Sequence, residues 1–500
     1  MKVTRAIGLV ALCLAAASAA AESTAPVRVT GGEIAGLRAG GLNTYFGIPY
    51  AAPPVGELRW REPQPVVPWK GVRQAGSFAP ACAQTAVWIT ETKSEDCLYL
   101  NIWAPRQADK LPVIFWIHGG GYYGGSGAQK GYDGTNLAGR GAVVVTINYR
   151  LGIFGFFAHP ELTAESPVHA SGNQGLLDQV AALKWVKENV AAFGGDPDRV
   201  MIVGESAGAA SVAILMASPL GKGLFQSAIG ESGNFAAPNS AVDSPFDSKA
   251  GGAKGLALAK SVGARDLRAL RAMSVADLHK PSWKSDVVVD GYLLREDMTT
   301  TYRNHRQNDV PLLVGWNAEE GKDLAPEILG TSEFTTARHR ELAARLLGYA
   351  PSSALLAAYP GATDAQAKTS IDKLTTDWWG WRMIYWADLQ ARYGRSPAYA
   401  YFFSHQPATP ATPCGYGCGA GHGAEIRYVF DNLAQDPRAW TGTDRQLADR
   451  LATTWVNFAR SGNPNGKGLP AWPRYTGDQA TVLRIGGQHQ LPDFALFGRE

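Results

Sequence analysis

The 500-residue sequence predicts an α/β fold, a mostly parallel central sheet flanked by helices, and three observations carry that expectation. Short apolar runs, PVIFWIH (112–118), AVVVTIN (142–148), VMIVG (200–204), PLLVG (311–315) and AYAYFF (398–403), are β-branched or aromatic and end in glycine or polar turns. Runs of that kind suit strands covered on both faces. Between and after them, Leu176, Val180, Leu183 and Val190 recur at helical spacing, as do Leu447, Leu451, Trp455 and Phe458. Third, 45% of residues are hydrophobic and 18% charged, which supplies a large core and argues against disorder. Residues 22–500 read as a single domain. Stretches near 236–305 and 325–395 are helix-rich and are expected to be insertions that cover the sheet.

The N-terminus, MKVTRAIGLVALCLAAASAAAES, places Lys2 and Arg5 before an apolar run and then offers Ala-x-Ala cleavage sites. Residues 1–21 are therefore expected to be a signal peptide, and the mature protein to be secreted or periplasmic. No other apolar run is long enough to span a bilayer, so stable membrane insertion is not expected. The net charge of +3 includes Lys2 and Arg5, leaving the mature chain near neutrality, with no basis for a nucleic-acid partner. Export makes disulfides the default for the remaining cysteines. Cys82 and Cys97 are placed to close one short loop, and Cys414 and Cys418 a second. A metal site from Cys414, Cys418 and His422 is disfavoured, because glycines at 415, 417, 419, 421 and 423 oppose the helix that would align the ligands.

In VMIVGESAGAASV (200–212) a serine stands between Gly204 and Gly208 at the end of a buried strand and the start of a small-residue helix. This fits a nucleophile elbow, whose sharp turn leaves no room for flanking side chains and raises Ser206 above the sheet edge. A hydroxyl needs a base, an acid and oxyanion donors before it is a nucleophile. WIHGGGYYGGSG supplies donors: the amides of Gly120 and Gly121, with that of Ala207, are placed to bind a tetrahedral oxygen. No Gly-Lys-Ser/Thr follows, so a phosphate cradle is disfavoured. VGWNAEEGKD offers Glu319, Glu320 and Asp323 as acids. GAGHGAEIRYVF offers His422, which, unlike His339, His405 and His489, combines a post-strand position with a glycine-rich loop. The order Ser206, Glu320, His422 is that of α/β-hydrolases.

FGIPYAAPPVGELRW, SEDCLYLNIWAP, HGGGY, NYRLGIFGF, NQGLLDQVAALKWVKENVAAFGGDPDRV, GESAGAASV and HGAEIRYVF stand in the order found in the type-B carboxylesterases, and the chain resembles that family over nearly all of its mature length. The group includes bacterial carboxylesterases, p-nitrobenzyl esterases, cholinesterases and bile-salt-activated lipases. The resemblance implies Ser206 as nucleophile, His422 as base and Glu320, the glutamate directly before glycine, as acid. It also implies an oxyanion hole of Gly120, Gly121 and Ala207, with Ser232 lying near the acid and histidine. A Cys82–Cys97 disulfide and the ion pairs Arg59–Glu95 and Arg150–Asp178 are implied as structural. The expected reaction is carboxylic ester hydrolysis through an acyl-enzyme, on a small-molecule ester and with no cofactor or metal. Oligomeric state is left open.

The loop from Cys82 to Cys97 is much shorter than its cholinesterase counterpart, so a choline-binding role is not carried to Trp88. DWWGWRMIYW (377–386) reads first as helix core and second as pocket lining, and Arg382 within it reads as solvated, with a substrate carboxylate as the alternative. Other readings are a specialist for polycarboxylic or aromatic esters, a lipase, and a non-catalytic binding protein of cholinesterase-like fold.

Overall fold

The computed structural model describes residues 22–233, 246–408, 418–487 and 490–497. The expected signal peptide, Cys414 and His489 lie outside the described residues. Eleven strands form the central sheet, and we number them in chain order: β1 (Glu22–Ser23), β2 (Leu37–Ala39), β3 (Leu42–Pro49), β4 (Tyr99–Pro105), β5 (Leu111–Ile117), β6 (Val143–Ile147), β7 (Gly195–Glu205), β8 (Ser227–Glu231), β9 (Leu312–Asn317), β10 (Ala398–Phe403) and β11 (Leu483–Ile485). Their spatial order is β1-β2-β3-β4-β6-β5-β7-β8-β9-β10-β11. From β6 to β11 every neighbouring pair is parallel, while β1 to β4 and the β4–β6 junction are antiparallel.

The five apolar runs lie in β5, β6, β7, β9 and β10. Their residues alternate between two cores because successive strand side chains point to opposite faces. In β5, Val113, Phe115 and Ile117 enter one core, and Ile114 and Trp116 the other. The first core is closed by α1 (Gln174–Asn189) and α2 (Ala207–Ala217), and the second by the amphipathic α5 (Gly442–Ser461). Helix α5 starts on a capping box, in which Thr441 and Asp444 satisfy each other's backbone N–H groups, and stops at Gly462.

Helices α3 (Glu320–Leu329) and α4 (Asp364–Tyr393) pack together beside β9. Asp377 to Trp386 is buried throughout, so that stretch of α4 is core. Arg382 is only 2% exposed, which corrects its reading as a solvated arginine. Residue spacing alone could not place it, because α4 is covered on all sides over this segment and has no solvent face to receive the charge.

The Cys82–Cys97 disulfide is present, with an S–S distance of 2.02 Å. Arg59 forks onto Glu95 and Arg150 onto Asp178, each pair doubly hydrogen-bonded, the first partly buried and the second buried. Among the described residues no helix is long and apolar enough to cross a membrane.

Candidate active site

Strand β7 ends at Glu205 and α2 begins at Ala207, which leaves Ser206 to make the whole reversal, at φ 56° and ψ −122°. A non-glycine residue reaches that region only where its surroundings enforce it. The surroundings are tight. A Cβ on Gly208 would lie 2.0 Å from the Ile117 carbonyl oxygen, and one on Gly204 would lie 2.5 Å from the Gly208 backbone. Ser206 N–H donates to the Glu231 carbonyl on β8 at 2.8 Å, pinning the turn to the neighbouring strand.

The glycine loop after β5 passes directly over this turn. A Cβ on Gly119 would come within 3.0 Å of the Ser206 Cβ. Gly120 and Gly121 have φ of 103° and 57°, and a Cβ on Gly120 would strike the Gly124 carbonyl at 2.1 Å, so the loop needs glycine for both space and conformation. His118 at its start is buried, stacks on Tyr149 and pairs Nδ1 with the Gly119 carbonyl. Burial pushes its pKa down to about 4, which keeps it a neutral packing residue.

His422 and Glu320 meet in the interior, with Nδ1 and Oε2 2.5 Å apart and both side chains essentially inaccessible. The other oxygen of Glu320 accepts from Ser232 Oγ at 2.6 Å and from the Asn317 amide at 2.8 Å. The two acids not chosen from NAEEGKD hold the backbone of the histidine loop: Asp323 accepts from the His422 N–H at 2.9 Å, and Glu319 from the Ala420 N–H at 3.2 Å. Cys418, four residues before His422, is disulfide-bonded. Its expected partner, Cys414, lies outside the described residues.

Two further buried carboxylates, Glu205 and Glu425, and an indole act on the imidazole, and a third carboxylate, Glu231, is buried beside those two; the sequence reading did not single them out. Glu205 places Oε1 3.2 Å from His422 Nε2. Glu231 accepts from Trp455 Nε1 at 2.8 Å, and Glu425 from the Asn317 side-chain amide. Burial, reinforced by the neighbouring carboxylates, pushes Glu205 up to about 8, Glu425 up to about 7 and Glu231 well above the usual range. Burial opposes charge on His422 as well, but Glu205 and Glu320 outweigh it and drive the imidazole up to about 10. Trp379 meets His422 edge-on, ring centres 6.0 Å apart, and donates its N–H to the Ser232 carbonyl at 2.7 Å. Glu205 and Glu425 stood next to the serine and three residues after the histidine, and an acid inside an otherwise apolar or glycine-rich motif was the available signal.

A parallel sheet that presents a left-handed serine, a glycine loop and a buried glutamate–histidine pair along one edge defines the α/β-hydrolase class. The chain belongs to the carboxylesterase family: the model described as "Carboxylesterase family" matches residues 23–495. It is similar to the fumonisin B1 esterase of Sphingopyxis macrogoltabida, 37% identical over 91% of this chain and 85% of that protein. It is also similar to the para-nitrobenzyl esterase of Bacillus subtilis (strain 168), 36% identical over 89% and 91% of the respective chains. A solved PNB esterase structure superposes with a TM-score of 0.75 at 34% identity, covering 90% of this chain and 93% of that one. The protein is accordingly a carboxylic ester hydrolase.

Proposed function

We propose that the protein is an exported serine carboxylesterase in which Ser206, His422 and Glu320 act as a triad and the amides of Gly120, Gly121 and Ala207 form the oxyanion hole. The observation that carries this reading is the buried 2.5 Å pairing of His422 with Glu320 next to the strained Ser206 turn. His422 takes the Ser206 proton as Oγ adds to the ester carbonyl, while Glu320 fixes the ring and stabilises its positive charge. Backbone amides at the glycine loop and the α2 N-terminus stabilise the oxyanion. The C–O bond to the alcohol breaks, the alcohol leaves with the proton from His422, and the acyl group remains on Ser206. Water then gives a proton to His422 and its oxygen to the acyl carbon, which releases the acid and returns the proton to Ser206.

Export is supported by the N-terminal pattern and by a disulfide within the mature chain. The test is hydrolysis of a p-nitrophenyl ester panel by residues 22–500 beside Ser206→Ala. Turnover that depends on Ser206 and is fastest on short acyl chains is expected. Activity that survives in Ser206→Ala would overturn the triad assignment.

A further inference from the structure

Helix α3 carries a stripe of acids toward the site. Glu320, Asp323 and Glu327 stand at i, i+3 and i+7, on one face of the helix. The first two are accounted for: Glu320 is fully buried against the His422 ring, and Asp323 accepts the His422 main-chain N–H. Glu327, two turns further along, is exposed. The stripe therefore runs from the interior to the surface and ends in a carboxylate that the triad does not use.

That carboxylate stands over the glycine loop. A Cβ on Gly121 would lie 3.7 Å from Glu327 Oε1, and Gly121 is itself exposed, which puts the charge at the outer lip of the proposed oxyanion hole. Among the described residues its side chain has one polar partner, the Tyr123 hydroxyl at 3.5 Å, and it pairs with no cation. Lys322 on the same helix is taken by Glu319. The field of Glu327 is felt on both sides of the loop. Burial first and Glu327 second push the Tyr123 phenol up to about 12, and the rise in Glu205, caused chiefly by burial, includes an addition from Glu327.

Helix stability does not account for an acid here. Glu327 lies in the last turn of α3, where the free carbonyls repel negative charge and favour lysine or arginine. A glutamine would accept from the Tyr123 hydroxyl as well as glutamate does. What the residue adds is charge. From Glu327 Oε1 to an oxyanion held by the Gly121 amide is at most about 9 Å. Across about 9 Å a unit charge changes binding roughly twofold at the dielectric of water and roughly twentyfold at that typical of a protein surface. The effect on the oxyanion is common to every ester, so it cancels when two esters are compared.

We propose that Glu327 sets the charge preference of the site: its carboxylate repels esters that carry a negative charge and favours neutral and, above all, cationic ones. This rests on the serine esterase reading and adds the charge class of the substrate.

The test uses two pairs of 4-nitrophenyl esters, each matched in shape and differing in charge: 4-(trimethylammonio)butanoate against 5,5-dimethylhexanoate, and the mono-ester of glutarate against pentanoate. With kcat/KM corrected for the enzyme-free rate, the wild type is expected to favour the cation about fivefold over its isostere and to disfavour the anion by a similar factor. Adding about 0.5 M NaCl is expected to shrink both ratios. Glu327→Gln is expected to bring each ratio roughly threefold nearer to one, and Glu327→Lys to invert them. Ratios unmoved by either variant would overturn the proposal. Binding is read separately by calorimetry, with the 4-nitroanilides of the first pair of acids, on Ser206→Ala and Ser206→Ala/Glu327→Gln. A protein that cleaves none of the esters yet prefers the cationic anilide only while Glu327 is present would sink the esterase reading and leave the Glu327 assignment standing; the same preference in both proteins, or none in either, would sink that assignment itself.

Discussion

Glu205 and Glu231 stand in register as the last residues of neighbouring parallel strands, β7 and β8, and both carboxyl groups are buried. Parallel neighbours lie about 4.8 Å apart, too close for two desolvated carboxylates to be charged together. The roles separate by what each acid faces. Glu205 faces His422 Nε2, whereas Glu231 takes the Trp455 N–H and lends its main-chain carbonyl to Ser206. His422 offsets part of the cost of burial for Glu205, so Glu205 is the member of the pair that ionises first as pH rises, and Glu231 the member that keeps its proton.

Glu231→Gln should therefore stabilise the protein increasingly as pH rises. An acid whose folded pKa is raised contributes stability that is fully present below its unfolded value and lost as pH climbs toward the folded one. The loss is about 1.4 kcal/mol per pH unit, and glutamine abolishes it. The melting temperature should fall less between pH 5 and pH 8 in the variant than in the wild type, and an identical fall in both would show that Glu231 does not hold its proton.

Glu205→Gln should move the acid limb of the kcat/KM profile to lower pH. In the proposed triad the active base is neutral imidazole, and Glu205 favours the protonated ring, so removing the acid lowers the His422 pKa. A shift of about one unit is expected from losing one adjacent opposite charge, together with a lower plateau kcat because the imidazolium loses a partner. The measurement is the pH profile of 4-nitrophenyl butyrate hydrolysis. A shift to higher pH would contradict the assignment.

Ser232→Ala removes one of the two hydrogen bonds to Glu320 Oε1 and leaves the Asn317 amide in place. Hydrogen bonds to charged groups are each worth about 1.5–3 kcal/mol, and half of the support remains. A drop of roughly tenfold in kcat with KM little changed is expected from steady-state kinetics. An unchanged kcat would show that Asn317 alone suffices.

Gly208→Ala and Gly139→Ala should differ sharply despite identical chemistry. The new methyl at 208 would meet the Ile117 carbonyl oxygen at 2.0 Å, whereas at 139 nothing lies within 4 Å. Thermal melts should show Gly208→Ala destabilised by several kcal/mol or failing to accumulate, and Gly139→Ala unchanged or stabilised by up to about 1 kcal/mol.

Where each strand carried its own apolar signature, the fold was legible in the sequence: the runs at 112–118, 142–148, 200–204, 311–315 and 398–403 fall in β5, β6, β7, β9 and β10. Strands β1 to β4 and β11 were not foreseen: β1, β2 and β11 are two or three residues long and mostly exposed or half-buried, and β3 and β4 interrupt their apolar pattern with Asn43, Thr44, Gly47 and Asn101. Strand β8, SAIGE, is fully buried but only five residues long and ends in a glutamate, so it lacked the apolar run that marks a strand. In the site, the pairing of His422 with Glu320 could be anticipated from motif position. The roles of Glu205, Glu231 and Trp379 could not, since they arise from strand register and helix packing between segments far apart in the chain. Arg382 was misread for the same reason: its burial is set by what α4 packs against.

With Ser206 as the proposed nucleophile, its left-handed conformation sets stability against function at a single position. Holding a residue with a Cβ there costs of order 1–3 kcal/mol, and glycine would adopt the same turn with little strain. A lineage released from selection for hydrolysis would thus gain thermal stability by its first substitution at this site, so dead descendants of this enzyme should be harder to melt than their working ancestor.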